Sequence, residues 1–115
     1  MKTRRNIVDP FGCEIALEVT PEGMILSCFG DEGGITLDER EAMIFKAMID
    51  HALSIRHRES KIEDLTGGKR VALHMHDAPV IVVEDSLRRM EIHPPSWVPL
   101  SCEVALLIPR IGLRK

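Results

Sequence analysis

Thr36-Leu37-Asp38-Glu39-Arg40-Glu41-Ala42-Met43-Ile44-Phe45-Lys46-Ala47-Met48-Ile49-Asp50-His51-Ala52-Leu53, followed a few residues later by Ser60-Lys61-Ile62-Glu63, is the stretch whose reading decides the fold. Thr36 and Glu39 stand as the two halves of a capping box do, each side chain placed to satisfy an amide that the first helical turn leaves without a partner. From there Leu37, Ile44, Phe45, Met48, Ile49 and Ala52 recur at helical spacing and predict a helix with one core-facing stripe. No Gly or Pro occurs between Ile35 and Thr66, so two readings of its end remain open. Ser60-Lys61-Ile62-Glu63 repeats the capping pattern, which ends the first helix near Leu53 and starts a short second one that stops at Gly67-Gly68. Otherwise Ile55, Ile62 and Leu65 extend the stripe into one helix of about 30 residues, long for a globular domain. Only two angled helices make a helix-turn-helix.

Upstream, Cys13, Ile15, Leu17 and Val19 alternate with Glu14, Ala16, Glu18 and Thr20, the period-two pattern of a half-buried strand. Pro21-Glu22-Gly23 turns the chain, and Met24 to Phe29 returns, predicting an antiparallel hairpin. Downstream, Val71 to His76 and Val80 to Glu84 are rich in β-branched residues and flank Asp77-Ala78-Pro79, a second hairpin. Asp85 is a suitable cap for a helix from Ser86 to about Ile92. His93-Pro94-Pro95-Ser96-Trp97-Val98-Pro99 cannot continue that helix and reads as a loop. Glu103 to Ile108 and Ile111 to Arg114 read as strands around Pro109-Arg110. No internal repeat or low-complexity segment is evident.

The chain has 115 residues, which fits a single domain over 1–115. Hydrophobic residues at 44% and charged residues at 29% are those of an ordinary soluble globular protein. The longest apolar runs, such as Val80 to Val83 and Val104 to Ile108, are far too short for a membrane span. Basic residues open the sequence, but Asp9, Pro10, Gly12 and Glu14 fall where a secretory signal needs its apolar core. Cys13, Cys28 and Cys102 are widely spaced and include no C-x-x-C pair, so neither a disulfide framework nor a zinc knuckle is indicated. A cytoplasmic location is expected. The formal net charge of −3 hides an asymmetry: residues 1–50 hold ten acidic against five basic side chains, and residues 51–115 eight against ten. An acidic front and a basic back suit one-sided nucleic-acid binding, and equally an acidic patch that docks on a basic protein.

The order of elements carries a family resemblance. A strand platform, a helix opening on Ile35-Thr36-Leu37-Asp38-Glu39-Arg40-Glu41, a second capped helix, a Leu87-Arg88-Arg89 helix and a terminal Arg110-Ile111-Gly112-Leu113-Arg114 hairpin resemble the OmpR/PhoB-type winged-helix family from about Glu14 to Lys115. The resemblance implies an α+β, winged-helix-like fold of antiparallel strands with two to three helices. It places Arg88 and Arg89 on a recognition helix facing duplex DNA, with Arg110, Arg114 and Lys115 acting from the wing. The implied function is transcriptional regulation without catalysis. Read from the residues alone, the same arginines are equally ordinary solvated charges.

The competing expectation is a stand-alone protein-binding regulator or inhibitor of a nucleic-acid-processing complex, of the kind mobile elements or phages encode. Glu14, Glu18 and Glu22, with Asp31, Glu32, Asp38, Glu39 and Glu41, offer a negative face to a basic protein surface. Trp97, on its proline-stiffened loop, is either an interface anchor or a core residue. His74 and His76 share one face of a strand beside Asp77, but sequence supplies no third ligand, and no metal or cofactor is expected. Arg56-His57-Arg58 reads as an exposed segment. Thr66-Gly67-Gly68-Lys69-Arg70 lacks the spacing, the hydroxyl residue and the preceding strand of a phosphate loop. No nucleophile elbow or carboxylate pair stands out, so no enzyme is expected. Leu106-Leu107-Ile108, read as an edge strand, predicts a homodimer by strand pairing.

Overall fold

The computed structural model describes residues 3–8, 14–28, 33–54, 59–75 and 78–111. Strands β1 (Thr3–Val8), β2 (Glu14–Thr20), β3 (Gly23–Cys28) and β4 (Ile35–Leu37) form an antiparallel sheet in that order, followed by helix α1 (Glu39–Leu53). Strands β5 (Lys61–Asp64), β6 (Arg70–His74), β7 (Val80–Glu84) and β8 (Arg89–Ile92) form a second such sheet, followed by helix α2 (Trp97–Leu107). The same meander-then-helix topology therefore occurs twice, although the sequence shows no repeat.

Alternation builds both sheets. Ile15, Leu17 and Val19 of β2 face inward with Met24 and Leu26 of β3, while Val71, Leu73, Ile81, Val83, Met90 and Ile92 line the inner face of the second sheet. Glycine allows β3 and β4 to approach closely at both ends. A Cβ on Gly23 would lie 2.1 Å from the Leu37 carbonyl oxygen, and one on Gly34 would lie 2.3 Å from that of Leu26. One contiguous core joins both inner faces to Phe45, Met48 and Ile49 of α1 and to Trp97, Leu100, Val104 and Leu107 of α2. The helices also cross between halves: α1 packs on β3, β4, α2 and, in the second sheet, β6, while α2 packs on α1 and on β1 of the first.

This architecture overturns the winged-helix expectation. Only two α-helices occur among the described residues; the first helix ends near Leu53 as one reading had it, but neither the second capped helix nor the single long helix forms. α1 ends at Leu53, and Lys61–Asp64 is a strand paired with Arg70–Leu73. Ser60, read as a helix cap, accepts a hydrogen bond from the Met75 amide at 3.0 Å, binding β5 to the far end of β6. Cross-strand pairing has overridden the local capping pattern. The expected helix over Ser86 to Ile92 is a tight turn and a strand, because the Asp85 carboxylate accepts from the amides of Leu87 at 2.8 Å and Arg88 at 2.7 Å. Of the two expected terminal strands, Glu103 to Ile108 belongs to the helix α2 and the 3₁₀ turn after it, while the other lies outside the described residues beyond Ile111. α2 is opened by a 3₁₀ turn at Pro94–Ser96, with Pro99 in its first turn, where a missing amide costs nothing. Leu106 and Leu107 are thus helical, and the strand-pairing route to a dimer falls with that strand. No helix among the described residues is long and apolar enough to cross a membrane.

Candidate functional site

Among the described residues, the basic side chains expected at DNA lie on three separate elements. Arg88 sits in the β7–β8 turn, its guanidinium against Gly33, where an added Cβ would approach Nη2 to 2.8 Å. Arg89 is on β8 and pairs with Glu91 at 3.2 Å and Glu84 at 3.8 Å. With Arg70 and Asp64, paired at 2.8 Å, these residues cross the outer face of the second sheet as a ladder of alternating sign, Asp64, Arg70, Glu84, Arg89. Arg110 is exposed on the 3₁₀ turn Ile108–Arg110 after α2. Arg114 and Lys115 lie outside the described residues, as do Cys13, the segment Arg56-His57-Arg58, His76 and Asp77.

The described acidic residues are dispersed as well, and Asp31 and Glu32 lie outside the described residues. Glu14 and Glu18 lie on the outer side of β2, with Glu18 in register opposite Arg4, and Glu22 is exposed at the β2–β3 turn. Glu41 turns inward, where its two oxygens accept from the Asp38 amide at 3.1 Å, Lys69 Nζ at 2.6 Å, the Thr66 amide at 3.2 Å and Thr66 Oγ1 at 2.8 Å. Lys69 Nζ also donates to the Thr36 carbonyl at 2.8 Å. Burial pushes the Glu41 carboxyl up, but the bonds from Lys69, Asp38 and Thr66 and the lysine's charge outweigh it and hold the group below the ordinary glutamate range. A cleft of about 250 Å³ opens beside it, bounded by Asp38, Arg40, Ile44 and Leu65. Four donors occupy the acceptor sites of Glu41, which makes it a tie between the two halves rather than a free acid or base facing that cleft. Sequence reading passed over Lys69 as part of a failed phosphate loop, and nothing local links it to Glu41.

Trp97 is buried, and its indole nitrogen donates to the Ile92 carbonyl at 2.9 Å, which pins the start of α2 to the end of β8. His74 is exposed at the end of β6, and no group of three metal-ligating side chains occurs among the described residues.

The least expected surface belongs to α2. Trp97, Leu100, Val104 and Leu107 pack inward, and Ser101 donates to Asp50 of α1 at 2.7 Å. The exposed positions are Val98, Pro99, Cys102, Ala105 and Leu106, an arc that carries neither a charge nor a side-chain hydrogen-bonding group other than the thiol. Val98 is 58% exposed and Leu106 60%. An uncharged arc of this kind on a helix is usually covered, and here it faces water. The sequence signal was present as the run from Val104 to Ile108, but a strand reading hid its meaning. Compared with protein-family models, curated proteins and solved structures, the chain matches none.

Proposed function

We propose that this chain is a non-catalytic protein-binding module that docks through the outward face of α2. The observation that supports it is the uncharged arc of Val98, Pro99, Cys102, Ala105 and Leu106 on a helix whose opposite side is already anchored in the core. Exposed contiguous apolar surface costs free energy in water and is regained by covering it with another protein. The helix is held rigidly by Trp97 and by the Ser101–Asp50 contact, so little ordering entropy is lost when a partner binds. The duplex-DNA reading rests on a recognition helix, in whose place the fold has a turn and a strand, and on a wing whose expected first strand lies in α2 and the turn after it and whose residues beyond Ile111 lie outside the described residues. The test is affinity capture from source-cell extract with wild type and Leu106→Glu as parallel baits. Wild type should retain a partner polypeptide that the variant, folded by circular dichroism, loses. Identical returns from the two baits would overturn the reading.

A further inference from the structure

We infer that the open edge of β5 pairs with the same edge of a second copy of this chain, antiparallel about a two-fold axis at Ile62, so that the second sheet runs on through both chains. β5 is the end strand of that sheet and pairs on one side only, with β6. The Leu65 amide donates to the Lys69 carbonyl at 2.8 Å. In an antiparallel ladder of this register, the backbone groups of Glu63 and Lys61 then also turn toward β6, and those of Ile62 point to the open edge. Ile62 is 56% exposed and continues the row of Ala72 and Val82 on the outer face. Lys61 and Glu63 flank it on the other face, and among the described residues neither side chain has a hydrogen-bond or ion-pair partner.

Charge selects both the occupant and the register. Directly opposed residues of an antiparallel pair share a face, so a two-fold axis normal to the sheet must pass where one residue meets its own counterpart. Centred on Lys61, Glu63 or Asp64, the axis would set like charges against each other. Centred on Ile62, it sets Lys61 of each chain opposite Glu63 of the other, at the closer, non-hydrogen-bonded positions. The two Ile62 residues then exchange backbone hydrogen bonds and cover each other's side chains. Charged residues on an edge strand ordinarily keep copies apart. Here the two positions that the axis interchanges carry opposite charges, which makes the edge complementary to itself.

A strand of 4 residues makes a small interface, so the dimer is weak and reversible. Sedimentation velocity from micromolar to millimolar concentration should show a shift from the 12.9 kDa species toward twice that mass. Lys61→Glu and Glu63→Lys should each weaken association about tenfold or more, because each turns two opposite-charge contacts into like-charge ones. Combining both changes in one chain, or mixing the two single variants, should restore wild-type association, which a merely misfolded variant would not do. Amide hydrogen exchange at Ile62 should slow as wild-type concentration rises and stay fast in Lys61→Glu. Leu106→Glu should leave the association unchanged, so this edge and the α2 face stand or fall separately. Wild type that stays monomeric throughout would overturn the inference, as would a dimer indifferent to both charge reversals or one that the combined swap does not rescue.

Discussion

Glu41 shows how far one side chain's role depends on what the chain brings to it. In sequence it belongs to an acidic face. In the fold it is 4% exposed and bonded to Lys69 and Thr66 of the second half. Glu41→Gln should lower stability by about 2–4 kcal/mol in urea unfolding at neutral pH, because it leaves the Lys69 ammonium without its counter-charge. The pH dependence has a definite sign. The folded-state carboxyl titrates below the unfolded one, so its contribution is complete above the unfolded glutamate range and is lost as pH falls through the folded value. Wild type should therefore lose more stability than Glu41→Gln between pH 6 and about pH 3. Equal acid slopes for the two proteins would show that Glu41 is not held in the charged form. Gly33 offers a second residue-scale test. Its φ of 87° favours glycine, whereas the Arg88 group its Cβ would strike is the far end of a flexible side chain. Gly33→Ala should cost about 1–2 kcal/mol, and combining it with Arg88→Ala should recover little of that, since the backbone and not the contact carries the cost.

At the scale of elements, caps and turns use the same chemistry, so local sequence places them within a few residues without deciding which one forms. The predicted box at Thr36–Glu39 occurs two residues later, where Asp38 accepts from the Glu41 amide at 2.8 Å while Glu41 accepts from the Asp38 amide. Thr36 is in β4 because its strand pairs with Ile25. Asp38→Ala should cost about 1 kcal/mol in thermal or urea unfolding and Thr36→Ala distinctly less; the reverse order would move the helix start back to the sequence-based position. Asp85 likewise has the acceptor of a helix cap but closes a turn, because β7 and β8 pair on either side of it. At the start of α2, Trp97→Phe should cost about 1–3 kcal/mol in urea unfolding by leaving the buried Ile92 carbonyl without its donor.

For the whole molecule, the shared core and the Glu41–Lys69–Thr66 tie join the two meander-and-helix halves, which predicts one cooperative unit. The single tryptophan lies in the second half, while far-ultraviolet circular dichroism reports both. Their urea transitions should coincide, and Glu41→Gln should move both midpoints together. Separate midpoints would mean that the halves unfold independently. Each helix contacts the other half's sheet, α1 on β6 and α2 on β1, so neither meander has its own helix as its whole cover. That arrangement leaves one side of α2 outward.

Sequence by itself determined the hairpins around Pro21–Gly23 and Asp77–Pro79, the existence of α1 and most of its core stripe, because side-chain alternation and helical spacing are local properties of the backbone. Tertiary structure alone decided that Lys61–Asp64 is a strand and Trp97–Leu107 a helix, since a short apolar or mixed run satisfies either period and its neighbours choose between them. It alone joined Glu41 to Lys69 and turned Val98, Cys102 and Leu106 outward together. Those relations depend on how two sheets and two helices share one core, which no local pattern encodes.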